Sequence, residues 1–170
     1  MPAAGKEEAV RVARSIGFDI VRMGDVVREE AARRGLPITD SAVGGMAHQD
    51  RVEHGFGIWA ERTLPLLRGE RILIDGLRGK AELEVYRRAF GDRLVVLAVH
   101  ASPRTRYERV VRRARADDAR TREAFLARDA RELGWGLGEV IATADLLLVN
   151  EGSLEAHGRR VAKAIRGLGP

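Results

Sequence analysis

Four groups of residues in this chain have the right types and spacing to handle phosphate. The first opens the sequence: in "MPAAGKEE", Pro2, Ala3, Ala4, Gly5 and Lys6 have the form of the rear half of a phosphate loop. A full loop runs G-x-x-x-x-G-K-[ST]. Its glycines let backbone N–H groups face phosphates, its lysine neutralises the β/γ charge, and its hydroxyl holds Mg2+. The helix that follows adds the positive end of its dipole. Here the front half is absent and Glu7 stands where the hydroxyl is expected. Taken alone, a Gly-Lys pair before a helix is a weak signal.

The second group is "RMGDVVRE" (22–29). A strand ends at Met23, Gly24-Asp25 turn into a helix, Asp25 is placed to cap it, and Arg28 lies one turn on, facing the same way. An acidic cap beside a solvated arginine explains the same residues without a ligand. The third is "ILIDGLRG" (72–79), where Asp75 sits at the C-terminal edge of an apolar strand, the edge at which open α/β sheets bind ligands. A carboxylate there can hold Mg2+, Gly76 permits close backbone approach, and Arg78 can reach a phosphate; the alternative is a plain turn after a buried strand. The fourth is the arginine-rich run 106–133, with Arg109 and Arg113 on one helix face, then Arg115, then Arg128 and Arg131. Such runs are usually solvated faces whose ion pairs contribute little. Beside a phosphate loop, the same arginines would stabilise a transferring phosphoryl group.

These residues need elements to place them. "FDIVRM" (18–23), "RILID" (71–75), "LVVLAVH" (94–100) and "LLLVN" (146–150) are continuous apolar runs, as expected of parallel strands buried on both faces. Amphipathic segments lie between them. Ser102 with Pro103, and Ser153, are N-terminal signals of two helices. Alternating strands and helices predict an α/β fold with a mostly parallel sheet. Residues 36–69 carry no strand signal and read as two helices split by "HGFG" (54–57), a flap over the sheet edge. The chain is expected to be one domain, with this flap over 36–69 and a short lid over 113–131.

Composition sets the outer bounds. A chain of 170 residues with 45% hydrophobic and 32% charged residues is long enough for one core burying roughly 70% of its unfolded surface. No apolar run approaches the ~20 residues needed to span a membrane. Neither a secretory signal nor a cysteine is present, which fits a cytoplasmic protein and excludes thiol chemistry. The net charge is +5, and arginine supplies 27 of 30 basic residues. Arginine forks match phosphate oxygens, so phosphorylated ligands fit this balance, as does a GC-rich coding bias. Aromatic residues make up only 5%, which counts against single-stranded nucleic acid as the partner. His48 and His54 are not spaced as metal ligands and read as flap surface.

The order of these pieces resembles the adenylate kinase and CMP kinase group of P-loop kinases. In that group a G-D-x-x-R stretch holds the nucleoside monophosphate, and Asp25 and Arg28 match it. Asp75, Gly76 and Arg78 resemble its D-G-x-P-R stretch, without the proline and with the arginine one place earlier. The arginine that stacks on adenine falls on Arg109, the lid arginine on Arg113, and "RADD" (115–118) resembles an R-x-D-D lid, placing Arg115 at the phosphates. Arg128 falls near the last lid arginine. "ADLLLVNEGSLEA" (144–156) is similar to a dephospho-CoA kinase stretch that passes the adenine of ATP, matched by Asn150, Gly152 and Ser153. Nearly the whole chain resembles a mainly archaeal kinase-like family of the AAA/P-loop NTPase superfamily. That family shares G-M-P-x-x-G-K, V-R-M-G-D-V-V-R, I-D-G-I-R-G, H-A-S-P-x-T-R and R-D-x-R-E-L-x-W-G-I-G-E-V-I.

The resemblance implies a three-layer P-loop kinase fold using ATP and Mg2+, with a nucleotide or nucleotide-like acceptor. Lys6 and the loop would hold the phosphates, Asp75 and Glu7 would hold Mg2+, and Asp25, Arg28, Asp75, Gly76 and Arg78 would bind the acceptor. Arg113, Arg115 and Arg128 would serve the transfer. In such folds the first strand is central, and losing it costs more than a domain's total of about 5–15 kcal/mol. The expectation is therefore a coding start roughly five to ten residues upstream, supplying a short apolar strand. Two other readings stay open: dephospho-CoA as acceptor, or a non-catalytic nucleotide-binding module that docks on RNA through its arginines. Oligomeric state is not legible. If the charge of Glu7 is a defect, Glu7→Ser raises ATP turnover; unchanged turnover would clear the carboxylate.

Overall fold

The computed structural model describes residues 1–113 and 121–168. The first helix, α1 (Lys6–Ser15), starts directly after Gly5, whose φ of 106° only glycine adopts freely. It stops at Gly17, also at positive φ (87°). Strand β1 (Asp19–Arg22) then runs straight into α2 (Met23–Arg33). Asp25 therefore does not cap α2, as its place after Gly24 had led us to expect. The helix starts three residues earlier, with Arg22 at the cap position, and Asp25 sits in the first turn near the positive dipole end.

The flap segment forms α3 (Asp40–His54), capped by Thr39, which accepts from the Ala42 N–H, and α4 (Ile58–Thr63). Strand β2 (Ile72–Asp75) and α5 (Lys80–Phe90) follow, then β3 (Leu97–His100) and α6 (Pro103–Arg113). Ser102 Oγ accepts from the Thr105 N–H at the start of α6. The described part of the expected lid begins with α7 (Arg122–Gly134), capped by Thr121. Then come α8 (Leu137–Ala142), β4 (Leu146–Val149) and α9 (Leu154–Arg166), whose cap is Ser153 as its sequence implied.

Among the described residues all strand pairing is parallel, but the strands form two two-stranded sheets rather than one: β1 with β2, and β3 with β4. Each strand is four residues long, shorter than the apolar runs, because pairing ends where the chain turns into the next helix or loop. Burial on both faces also fails for β4. Leu147 and Val149 are about half exposed, since alternate residues point to opposite faces and only the face carrying Leu148 packs on α1 and α9.

Three apolar clusters hold these parts together. α1 and α9 bury Ala9, Val12, Ala13, Val161 and Ile165 against Ile20, Leu73, Leu97 and Leu148, one residue from each of the four strands. Leu83, Val96, Leu137 and Val140 join α5 and α8 to the approach to β3. Met23, Trp59, Val85 and Tyr86 seat the flap on α2 and α5. A cavity of about 380 Å3 is bounded by β2 and β3, with Ala9, Val10 and Ile165 among its walls.

The flap is fastened by charge as well as by apolar contact. Arg51 of α3 is 3% exposed and donates to Glu82 of α5 at 2.6 Å, and Glu82 is fully buried. Glu82 also accepts from the Arg78 N–H at 2.7 Å. Removing one partner of a buried pair strands the other charge. Glu82→Ala is therefore expected to lower unfolding stability by about 3–5 kcal/mol, read from urea melts. A loss below about 1 kcal/mol, the level of exposed pairs, would mean the pair is solvated.

Candidate active site

The register of β1 with β2 sets Arg22 opposite Asp75 at the C-terminal end of the pair. Asp75 is 7% exposed, and Lys6 of α1 donates to its Oδ2 at 2.8 Å. Arg22 Nη1 lies 4.0 Å from the same oxygen. Arg22 also donates to Glu7 Oε2 at 2.9 Å, and Lys6 reaches Glu7 Oε1 at 3.3 Å. Two cations and two carboxylates thus form one network. Burial pushes the Glu7 carboxyl up, but Lys6 and Arg22 together outweigh it and hold it below the usual carboxylate range. The extra charge that Glu7 brings to the loop is thereby balanced within the protein.

This network borders a cavity of about 270 Å3. Pro2, Ala3, Lys6, Glu7, Arg28, Asp75, Gly76, Arg78 and Arg128, all singled out from the sequence, line it together. Gly76 has a φ of 109°, which favours glycine, while a Cβ there would meet Met23 and the Gly24 amide only at ordinary contact distance. Ala3 carries a positive φ (58°) without being glycine, a strained conformation of the kind that collects at functional loops. Seven cationic side chains face the cavity against the four carboxylates of Glu7, Asp40, Asp75 and Glu132, so its described lining favours anions.

The cationic wall is ordered by ion pairs. Arg78 donates to Glu132 at 2.6 Å. Arg131 and Arg128 of α7 both reach Asp40 at the head of α3, at 2.8 and 3.3 Å, closing the flap against α7. A Cβ at Gly44 would lie 2.9 Å from the Arg131 guanidinium, so glycine makes room for this approach. Trp135 stacks with Arg51 at 4.2 Å, and its indole N–H donates to His48 at 3.1 Å.

The other expected residues lie elsewhere. Asp25 and Arg28 form an exposed ion pair with each other, and Asp25 stays off the cavity wall. Ala4 is buried and borders the larger cavity between β2 and β3. Arg109 and Asn150 lie beneath the loop. Arg109 donates to the Asn150 carbonyl at 3.0 Å and to that of Ala4 at 3.4 Å, and the Asn150 amide donates to Ala4 at 2.8 Å. Gly152 is exposed and Ser153 caps α9. Arg113 ends α6, and Arg115 lies outside the described residues.

Arg22, Arg106 and His157 were passed over in the sequence. Arg22 is an arginine at the end of an apolar strand, which is a usable signal. Arg106 is 3% exposed, pairs with Asp129 and donates to the Ala101 carbonyl at 3.1 Å, tying α6 to α7. His157 precedes Val161 and Ile165 at a four-residue spacing, which puts it on the buried face of α9.

Among the described residues no group of three or more His, Cys, Asp or Glu is placed to hold a metal ion, and the two residues expected to hold Mg2+, Asp75 and Glu7, are both paired with Lys6. No described helix is long and apolar enough to cross a membrane.

Residues 1–125 match the family model of an AAA domain. The chain is similar to UPF0200 proteins of several archaea. It is 43% identical over 166 residues to one from Thermoplasma volcanium, covering 97% of this chain and 92% of the relative. To one from Hyperthermus butylicus it is 45% identical over 175 residues, covering 99% and 93%. To one from Pyrococcus horikoshii it is 39% identical over 171 residues, covering 97% and 92%.

The Glu7 network can be tested by titration. A depressed carboxyl contributes above its ordinary value near 4.5 and loses its contribution as pH falls through the folded value. Arg22→Ala removes one source of the depression, so Glu7 should titrate at a higher pH, followed by 13C NMR of its side chain. An unmoved titration would assign the depression to Lys6 alone.

Proposed function

The chain belongs to the UPF0200 family and carries its AAA domain, and from that premise we propose that it is an ATP-dependent phosphotransferase acting on a nucleotide or nucleotide-like acceptor. The observation that carries the reading is the contact of Lys6 with the buried Asp75 at the edge of an anion-favouring cavity. ATP with Mg2+ would supply the phosphoryl group and screen its charge. Lys6 and the amides that open α1 hold the β- and γ-phosphates, while Asp75, with Glu7, holds the cation. Arg28 and Arg78 face the acceptor, with Asp25 and Gly76 shaping their surroundings. Arg128 at the cavity wall, with Arg113 and Arg115, neutralises the group in transit. Positioning and electrostatics account for most of such catalysis, and no general base is required.

Two features support this reading over a non-catalytic module. The charge of Glu7, which argued against turnover, is met by Arg22. The Asp40 contacts with Arg128 and Arg131 join α3 to α7 along one wall of the cavity and hold two of its cations in place. The finer fold assignment, a P-loop kinase sheet of three layers, rests on the cavity between β2 and β3. Both strands are parallel to their partners, both leave an edge unpaired, and helices cover them. In this reading the strand expected ahead of Met1 lies in that cavity, completes the sheet and leads into the loop.

The test is ADP formation from ATP, with Mg2+, against a panel of nucleoside monophosphates and dephospho-CoA. It should be run on this chain and on a version extended by its upstream codons. Turnover with a nucleoside monophosphate is expected, falling about 100–1,000-fold in Lys6→Ala, the usual cost of one electrostatic contact at a reacting group. Turnover with dephospho-CoA alone would favour that acceptor. ATP binding without turnover on any acceptor would favour the non-catalytic module.

A further inference from the structure

The loop before α1 is gripped from below by side chains far away in sequence. His157 of α9 places Nε2 3.1 Å from the Gly5 carbonyl oxygen, and Asn150 Nδ2 donates to the Ala4 carbonyl at 2.8 Å. Both side chains are buried, His157 fully. A carbonyl oxygen only accepts, so His157 must carry its proton on Nε2. Its Nδ1 then has no hydrogen-bond partner among the described residues. An imidazole buried with one nitrogen unpaired is less stable than an aliphatic side chain would be there. The contact with the Gly5 carbonyl is one that leucine could not make, and the ring also lies within electrostatic reach of Glu8.

The geometry of the peptide group gives that contact a consequence. In a trans peptide the C=O and N–H point in opposite directions. Holding the Ala4 and Gly5 carbonyls toward α9 turns the N–H groups of Gly5 and Lys6 the other way. Glycine is required at position 5 twice over: its φ is 106°, and a Cβ would fall 2.2 Å from Asn150 Nδ2. Gly158 leaves room for the Glu8 carboxylate, since a Cβ there would lie 2.6 Å from Glu8 Oε1.

We propose that His157, together with Asn150, is a positioning residue for phosphate binding: it clamps the loop carbonyls so that the Gly5 and Lys6 amides are aimed at the phosphates before they arrive. This rests on reading the loop as the phosphate site. The role is separate from packing, because it needs a donor at the position of Nε2 and not only a side chain that fills the space.

The experiment compares the parent with His157→Leu and His157→Gln, by calorimetric titration with a non-hydrolysable ATP analogue and Mg2+ and by thermal unfolding. His157→Leu should weaken binding about tenfold, the worth of one well-placed hydrogen bond. Its melting temperature should not fall. Glutamine, whose amide nitrogen lies near the place of Nε2, should restore binding to within about threefold of the parent. A folded His157→Leu that binds as the parent does overturns the clamp. Should His157→Leu not fold, the parent decides: long-range 1H–15N spectra of the His157 ring must show the Nε2–H tautomer, and an Nδ1–H tautomer overturns the proposal. A parent that binds no ATP analogue overturns the nucleotide reading itself.

Discussion

Asp75 carries its carboxylate at the end of β2 with 7% exposure, and a carboxylate so buried has to be paired. Much of the site is built around meeting that demand. Lys6 reaches it from the first turn of α1, which requires the loop before α1 to sit against the strand end. Arg22 approaches it because the parallel register sets β1 and β2 level at that edge. Glu7 then finds two cations and joins them instead of standing as an unmatched charge. Sheet register, helix start and loop conformation are thus coupled through one carboxylate.

A second layer of charge governs the wall opposite. Arg78, Arg128 and Arg131 are each held by a carboxylate, Glu132 or Asp40, and these contacts join the flap, α7 and the turn after β2. Carboxylates can occupy guanidinium forks that phosphates would also suit, since both present two acceptor oxygens to two parallel N–H groups. These carboxylates thus hold the three arginines in place along the wall. Glu82 fixes this wall from behind by taking both Arg51 and the Arg78 amide, and Arg51 in turn lies on Trp135.

Much of the frame was legible in the sequence. The caps at Ser102 and Ser153, the two helices of 36–69 and the four parallel strands are local signals. Each depends on residues within a few positions of one another, and periodicity and turn chemistry reveal such relations. The shorter strands, the exposed alternation of Leu147 and Val149 and the division into two sheets were not legible. They depend on which neighbour lies alongside. The placing of Asp25 failed for a related reason: β1 runs into α2 without a turn, so the helix starts before its apparent cap.

By itself, the sequence determined the elements, the cationic excess and the residues able to meet phosphate, because side-chain chemistry and local periodicity are carried by the chain. Only the tertiary structure decided their partners. It put Arg22 on Glu7 and Asp75, Arg109 and Asn150 on the Ala4 carbonyl, and His157 on that of Gly5, across separations of 15 to 152 residues. Such contacts form when packed helices and paired strands bring distant backbone together, and buried polar groups must then take whatever partner lies within reach.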